Sequence, residues 1–206
     1  MQEHRYHADI GRCIGEGWAL YKREPLLLSG ATLLMAVVNA IAGNIPLLNL
    51  ALYGPLLGGL YILVMRIDRG EPVRFSNYFE AFNAFLPLLL ASVVTSLLIF
   101  LGFLLLILPG VFLALAYGFT TLNIVDRRMD FWPAMEDSRR TITRHFWQYL
   151  LLALLFMGLC LLGAIPFGLG LLVAVPVCIG AQYCYYRDLH RFYGDAEDPG
   201  SGTTIA

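Results

Sequence analysis

Charge is missing from most of this chain, and that absence limits what it can fold into. All 14 Lys and Arg residues fall in four regions: ahead of Pro25, from Arg66 to Arg74, from Arg127 to Arg144, and at Arg187 and Arg191. None of the 15 acidic residues lies inside the apolar runs between these islands. The runs cover 25–42, 47–65, 86–108, 111–125, 146–164 and 169–186. An α-helix needs about 20 apolar residues to cross a hydrocarbon core, so the pattern predicts a polytopic membrane protein. Composition agrees: 58% of residues are hydrophobic and 14% charged, where soluble domains carry about 45–50% and about 25%. A net charge of -1 gives no basic surface for nucleic acid.

The runs pair into three similar units. Pro25-Leu-Leu-Leu28, Pro87-Leu-Leu-Leu90 and Tyr149-Leu-Leu-Leu152 open the first run of each unit, spaced 62 and 62 residues. The turns carry Pro46, Pro109 and Pro166, and the second runs stop at Arg66, Arg127 and Arg187. Pro55, Ala116 and Pro176 each lie 11 residues before their stop arginine. The small-residue pair Gly54-x-x-x-Gly58 is expected to pack two spans of one chain together.

A one-sided helical face precedes each hairpin. It comprises Ile10, Cys13, Ile14, Gly17, Trp18 and Tyr21 in the first unit, and Phe75, Tyr78, Phe79, Phe82 and Phe85 in the second. In the third it comprises Phe131, Met135, Ile142, Phe146 and Tyr149. The expected fold is an all-α membrane protein of six transmembrane helices. These form three repeated hairpins (about 10–70, 73–128 and 130–191), each preceded by an in-plane amphipathic helix. Residues 1–193 form one domain on this reading, with a disordered polar tail over 194–206.

Basic residues flank the termini and the two long loops, and none occurs in the three Pro-containing turns. The positive-inside rule therefore predicts a cytoplasmic N-terminus and C-terminus. The first run follows a polar lead with no small-residue cleavage site, so it is expected to be retained as a span.

Chemical signals are sparse. The runs hold no ionisable acid or base of the kind that ion-coupled transport uses, and no nucleophile triad, phosphate loop or metal box is present. No enzymatic activity, cofactor or metal is expected. Asn39, Asn123 and Gln182, with Asn49, Tyr53 and Tyr117, are the polar residues singled out in or beside the runs. They read either as interhelical hydrogen bonds, which is the simpler account, or as the lining of a cavity for a neutral or lipid-like ligand. Arg139, Arg140 and Arg144 read as a solvated helix face or as contacts for a lipid headgroup. His145 reads as an interfacial anchor. His4 and His7 lack a cysteine partner for metal binding. Cys13, Cys160, Cys178 and Cys184 form no C-x-x-C pair and are expected to be small apolar core residues. Membrane lipids are the expected partners, and a second copy or another membrane protein remains open.

Several short motifs carry a resemblance. They are Arg69-Gly-Glu-Pro72 with Phe75 and Phe79, Leu106-Ile-Leu-Pro109-Gly110-Val-Phe112 with Ala116-Tyr117, and Val125-Asp126-Arg127. Further matches are Asp130-Phe-Trp132-Pro-Ala134, Ser138-Arg139, His145-Phe-Trp147, Gly168-Leu-Gly170-Leu-Leu-Val173 with Pro176, and Tyr186-Arg-Asp188-Leu. Over roughly residues 11–192 the chain resembles a broad group of bacterial integral membrane proteins. That group includes YciC-like proteins and the membrane domains attached to some glycerophosphodiester phosphodiesterases. The resemblance implies a bacterial inner-membrane location and six spans, and brings no catalytic residues with it.

Overall fold

The computed structural model describes residues 9–43, 45–165 and 168–197. It is helical, with no strand among the described residues. The elements are α1 (Ile10–Arg23), α2 (Pro25–Ala42), α3 (Pro46–Asp68), a 3-10 helix (Phe75–Ala84), α4 (Phe85–Leu105), α5 (Ile107–Ala116), α6 (Thr120–Arg127), α7 (Phe131–Arg144), α8 (Phe146–Ala164) and α9 (Leu171–Glu197). Expectations about His4, His7, Asn44, Pro166 and residues 198–206 lie outside the described residues. Residues 194–197, expected to begin the tail, continue α9.

Among the described residues five segments are long and apolar enough to cross a membrane: Pro25–Ala42, Leu48–Asp68, Phe75–Leu105, Ile107–Arg127 and Phe146–Ala164. They are compatible with a multi-pass membrane protein. The α3 segment is 56% buried and the α8 segment only 11%, which places α3 inside the bundle and α8 on its rim. The rim presents Leu33, Val37, Leu97, Phe100, Leu154 and Leu161 outward. A continuous apolar surface of this kind needs lipid, or a partner, to cover it.

The α9 helix is 27 residues long but is not among the five. Gln182, a run of tyrosines and Arg187-Asp188 interrupt its apolar character. Its burial accounts for this composition. Val177, Ile179, Tyr183, Cys184, Tyr185 and Tyr186 are all buried, so α9 meets protein on most sides and its polar groups find partners there. It packs most extensively on α1, and also on α2, α3 and α8.

Helix α1 starts at Asp9, whose carboxylate accepts a hydrogen bond from the Arg12 N–H at 3.1 Å, a standard N-cap. Its buried positions are Cys13, Gly17 and Leu20. Cys13 and Gly17 belong to the face read from the sequence; Leu20 does not, and Trp18 from that face is 45% exposed. The seam against α9 is tight because Gly17 meets Gly180 with no side chain between them. Gly54 and Gly58 do the same for α3, approaching Leu88 and Ser92 of α4.

The turn expected at Pro109–Gly110 falls instead at Leu106, which leaves both residues inside α5, and two further local features depart from the expected helices. Residues 75–84 form a 3-10 helix rather than a 3.6-residue one. Side chains three apart eclipse in a 3-10 helix, and the aromatic rings use that register. Phe75 stacks with Tyr78, Phe79 packs with Phe82, and Phe82 stacks with Phe85. The narrow helix lies directly on Gly59 of α3, against the backbone of Tyr78.

The run expected to continue from Val111 to Val125 instead breaks at Tyr117–Phe119, between α5 and α6. A break inside the bundle needs substitute partners for its freed backbone groups. Buried Ser138 of α7 supplies two: its hydroxyl accepts from the Phe119 N–H at 3.0 Å and donates to the Ala116 carbonyl at 2.8 Å. Gln182 supplies the third by donating to the Gly118 carbonyl at 2.9 Å.

Candidate functional site: an uncharged cavity beside Gln182

The broken segment, α9 and the hydroxyl-bearing face of α4 line a half-open cavity of about 550 Å³. Its wall includes Tyr53, Tyr61, Ser92, Thr95, Tyr117 and Gln182, alongside apolar Met35, Leu57, Ile99 and Ile179. No residue lining it carries a formal charge. Tyr53, Ser96 and Ala114 are exposed at its mouth.

Gln182 anchors the inner wall. Its Nε2 donates to the Gly118 carbonyl and to the Tyr149 hydroxyl, both at 2.9 Å, and its Oε1 accepts from the Tyr61 hydroxyl at 2.9 Å. One amide thus joins α3, the α5–α6 break, α8 and α9. Both readings of Gln182 apply, since it is bonded between helices and also borders the cavity.

Asn39 and Asn123 lie elsewhere. Asn39 donates to the Met35 carbonyl in its own helix at 2.8 Å and accepts from Asn49 at 3.1 Å, tying α2 to α3. Asn123 is fully buried and clamps α6 to α7 through the Ala134 carbonyl and Asp137, each at 3.0 Å. Neither lines the cavity.

Arg139 and Arg140 converge on one carboxylate, Glu136, at 2.8 and 2.7 Å. These two hydrogen-bonded guanidiniums hold the Glu136 carboxyl down at about 2. Arg144, also exposed, is the last residue of the same helix.

The stop arginines pair with acids of other helices. Arg66 meets Glu80 at 2.8 Å, Arg127 meets Asp137 at 3.8 Å, and Arg187 meets Glu16 at 2.6 Å and Asp68 at 2.9 Å. Arg69 adds a 2.7 Å contact to Asp126. A second cleft of about 650 Å³ lies beside this layer, lined by Arg66, Arg69, Glu71, Glu80, Asp126 and Arg128. Arg66 and Arg69 in that cleft already have acidic partners.

His145, between α7 and α8, is half-buried; burial, with the Arg144 charge beside it, lowers its pKa from 6.5, against a hydrogen bond to Gln148. A folded state that favours neutral imidazole is fully stabilised above the unfolded value and loses that contribution as pH falls below it. The melting temperature is therefore expected to drop as pH falls through 6.5, and His145→Gln should flatten that dependence. An unchanged slope in the variant would remove His145 as the source.

The cavity, the pairing of the stop arginines and the role of Ser138 escape sequence reasoning because each joins residues far apart in the chain. The hydroxyl series Ser92, Thr95 and Ser96 is the one local signal for the cavity; by itself it reads as back-bonding within a helix. Comparison with protein-family models, with curated proteins and with solved structures returns no match.

Proposed function

We propose that this chain is a non-enzymatic integral protein of the bacterial inner membrane that binds a neutral, lipid-like molecule in the cavity beside Gln182. The carrying observation is a cavity of about 550 Å³ with no charged residue in its lining. Sites of roughly 300–1,000 Å³ suit small ligands, with a few polar groups fixing orientation in an apolar wall. Here the hydroxyls and Gln182 would take the polar end of an amphiphile and the leucine and isoleucine side chains its apolar part.

The six-span, three-unit architecture belongs to the same proposal. It is supported by α1 packing on α9, the 3-10 helix on α3, and α7 on α6, a cyclic pattern in which each entry helix rests on the last helix of the neighbouring unit. The pairs Arg187–Glu16, Arg66–Glu80 and Arg127–Asp137 follow the same order. Cytoplasmic termini follow from the positive-inside rule, and the likeness to the YciC-like group supports the bacterial assignment. Arg139, Arg140 and Arg144 would then face anionic headgroups on the cytoplasmic leaflet.

A transporter for the same class of ligand is the second reading, favoured by Gln182 lining the cavity. It requires the cavity to open through the Asp68–Arg187 and Arg69–Asp126 layer.

Native mass spectrometry of the full chain, extracted with its membrane lipids, tests the binding proposal. A neutral adduct at one per chain is expected. Thr95→Phe, which fills the cavity from half-buried Thr95, should reduce adduct occupancy about tenfold, the effect of losing roughly 1.4 kcal/mol of binding. Absence of any adduct, or equal occupancy in the variant, would reject the proposal.

A further inference from the structure

Cys13 and Cys184 are 171 positions apart in the chain, yet their sulfurs lie 3.2 Å from each other. Both side chains are fully buried. Glu16, one turn on from Cys13 in α1, places Oε2 3.1 Å from the Cys184 sulfur. Asp188, one turn on from Cys184 in α9, places Oδ2 3.9 Å from the same sulfur. Residues three or four apart share a helix face, and the ligand atoms of Cys13, Cys184 and Asp188 all lie within 4.8 Å of one another, with Glu16 at the edge of the group. The Gly17–Gly180 contact brings the two helices close enough for these groups to meet.

This cluster has more acceptors than protons. The Cys184 thiol carries one hydrogen, while the Cys13 sulfur, Glu16 and Asp188 all surround it. The distances also suit a cation. A tetrahedral zinc centre has metal–sulfur bonds of about 2.3 Å and metal–oxygen bonds of about 2.0–2.2 Å, which puts neighbouring ligand atoms about 3.5–3.8 Å apart. The observed separations bracket that range.

We propose that Cys13, Cys184 and Asp188 form a binding site for a thiophilic divalent cation of the zinc type, with Glu16 beside it, clamping α1 to α9. On binding, each thiol releases its proton to solvent as its sulfur–metal bond forms. Two thiolates, one carboxylate and a divalent cation leave a net charge of minus one, and the adjacent Glu16 carboxylate brings it to minus two. Arg12 beside Asp188 and Arg187 beside Glu16 balance it from the outer layer, as oriented partners of metal ligands do. The metal's role is to clamp the two helices, with three tetrahedral positions filled by protein and a water in the fourth. The site is separate from the cavity, whose lining includes none of the four residues.

The test uses the full chain, reduced and in detergent, with the Cys160→Ser/Cys178→Ser double variant as background. Co²⁺ titration should produce a thiolate-to-cobalt charge-transfer band saturating at one metal per chain. Cys13→Ser and Cys184→Ser should each abolish the band. X-ray absorption of the Zn²⁺-loaded wild-type chain, which depends on no variant folding, should show two sulfur and two oxygen neighbours. A Co²⁺ spectrum without the charge-transfer band, a band that survives loss of both cysteines, or zinc without sulfur neighbours would each overturn the site. So would a chain in which the two cysteines form a disulfide and take up no metal after reduction.

Discussion

Gly17→Ala is expected to destabilise the protein by about 2 kcal/mol, although alanine is the better helix former. In an exposed helix interior the exchange would gain up to about 1 kcal/mol. At Gly17 a Cβ would lie 2.5 Å from the Val177 carbonyl oxygen and 2.7 Å from the Ala181 nitrogen. Both obstacles are backbone atoms of α9, so the strain has no flexible side chain to relax into. Overpacking of this kind costs roughly 1–3 kcal/mol or more. Helix α1 must then lift off α9, loosening buried Cys13 and Leu20. Gly15 in the same helix has nothing within 4 Å of an added Cβ, so Gly15→Ala should stabilise. Melting temperatures of the two variants, followed by size-exclusion chromatography after heating, should move in opposite directions. A Gly17→Ala variant that melts at or above the wild type would mean that α1 does not seat on α9.

Arg187→Ala should cost about 2–4 kcal/mol, toward the lower side of what removing one partner from a buried ion pair does. Arg187 is 17% exposed and holds both Glu16 and Asp68. Its loss leaves two half-shielded carboxylates facing each other. The effect should therefore come from uncompensated acids rather than from lost packing. Combining Arg187→Met with Glu16→Gln and Asp68→Asn should recover most of the stability. If the triple variant melts as low as Arg187→Ala alone, charge compensation is not what holds this end of the bundle.

These two positions also show what could be read from the sequence. Arg187 was visible as a stop residue because it ends an apolar run; its partners Glu16 and Asp68 were not, since they lie in the first unit. Gly17 was placed on the correct helix face by its spacing, whereas Gly180, the reason that face can sit so close, lies in another run. Charge-free runs and helix faces are local properties, so most helix positions were legible. The 3-10 helix was missed because positions 75, 78, 79, 82 and 85 fit spacings of both 3 and 3.6. The break at Tyr117–Phe119 has no proline and is sustained by Ser138 and Gln182 from distant helices. The cysteines were judged by C-x-x-C spacing, which cannot detect two sulfurs brought together by separate helices.

The interrupted apolar pattern of α9 matches its burial among the other helices. The proposed architecture has α9 crossing the bilayer as the sixth span, which returns the C-terminus to the side of the N-terminus; a five-span chain would leave the termini on opposite sides. Paired fusions after Ala206, with the N-terminus located by an accessible tag ahead of Met1, decide this directly. A fluorescent protein that matures only in the cytoplasm should be bright there, and alkaline phosphatase at the same position should be inactive. A dark fluorescent fusion together with an active phosphatase after Ala206, on a chain whose N-terminal tag is cytoplasmic, would put the termini on opposite sides and contradict the six-span account.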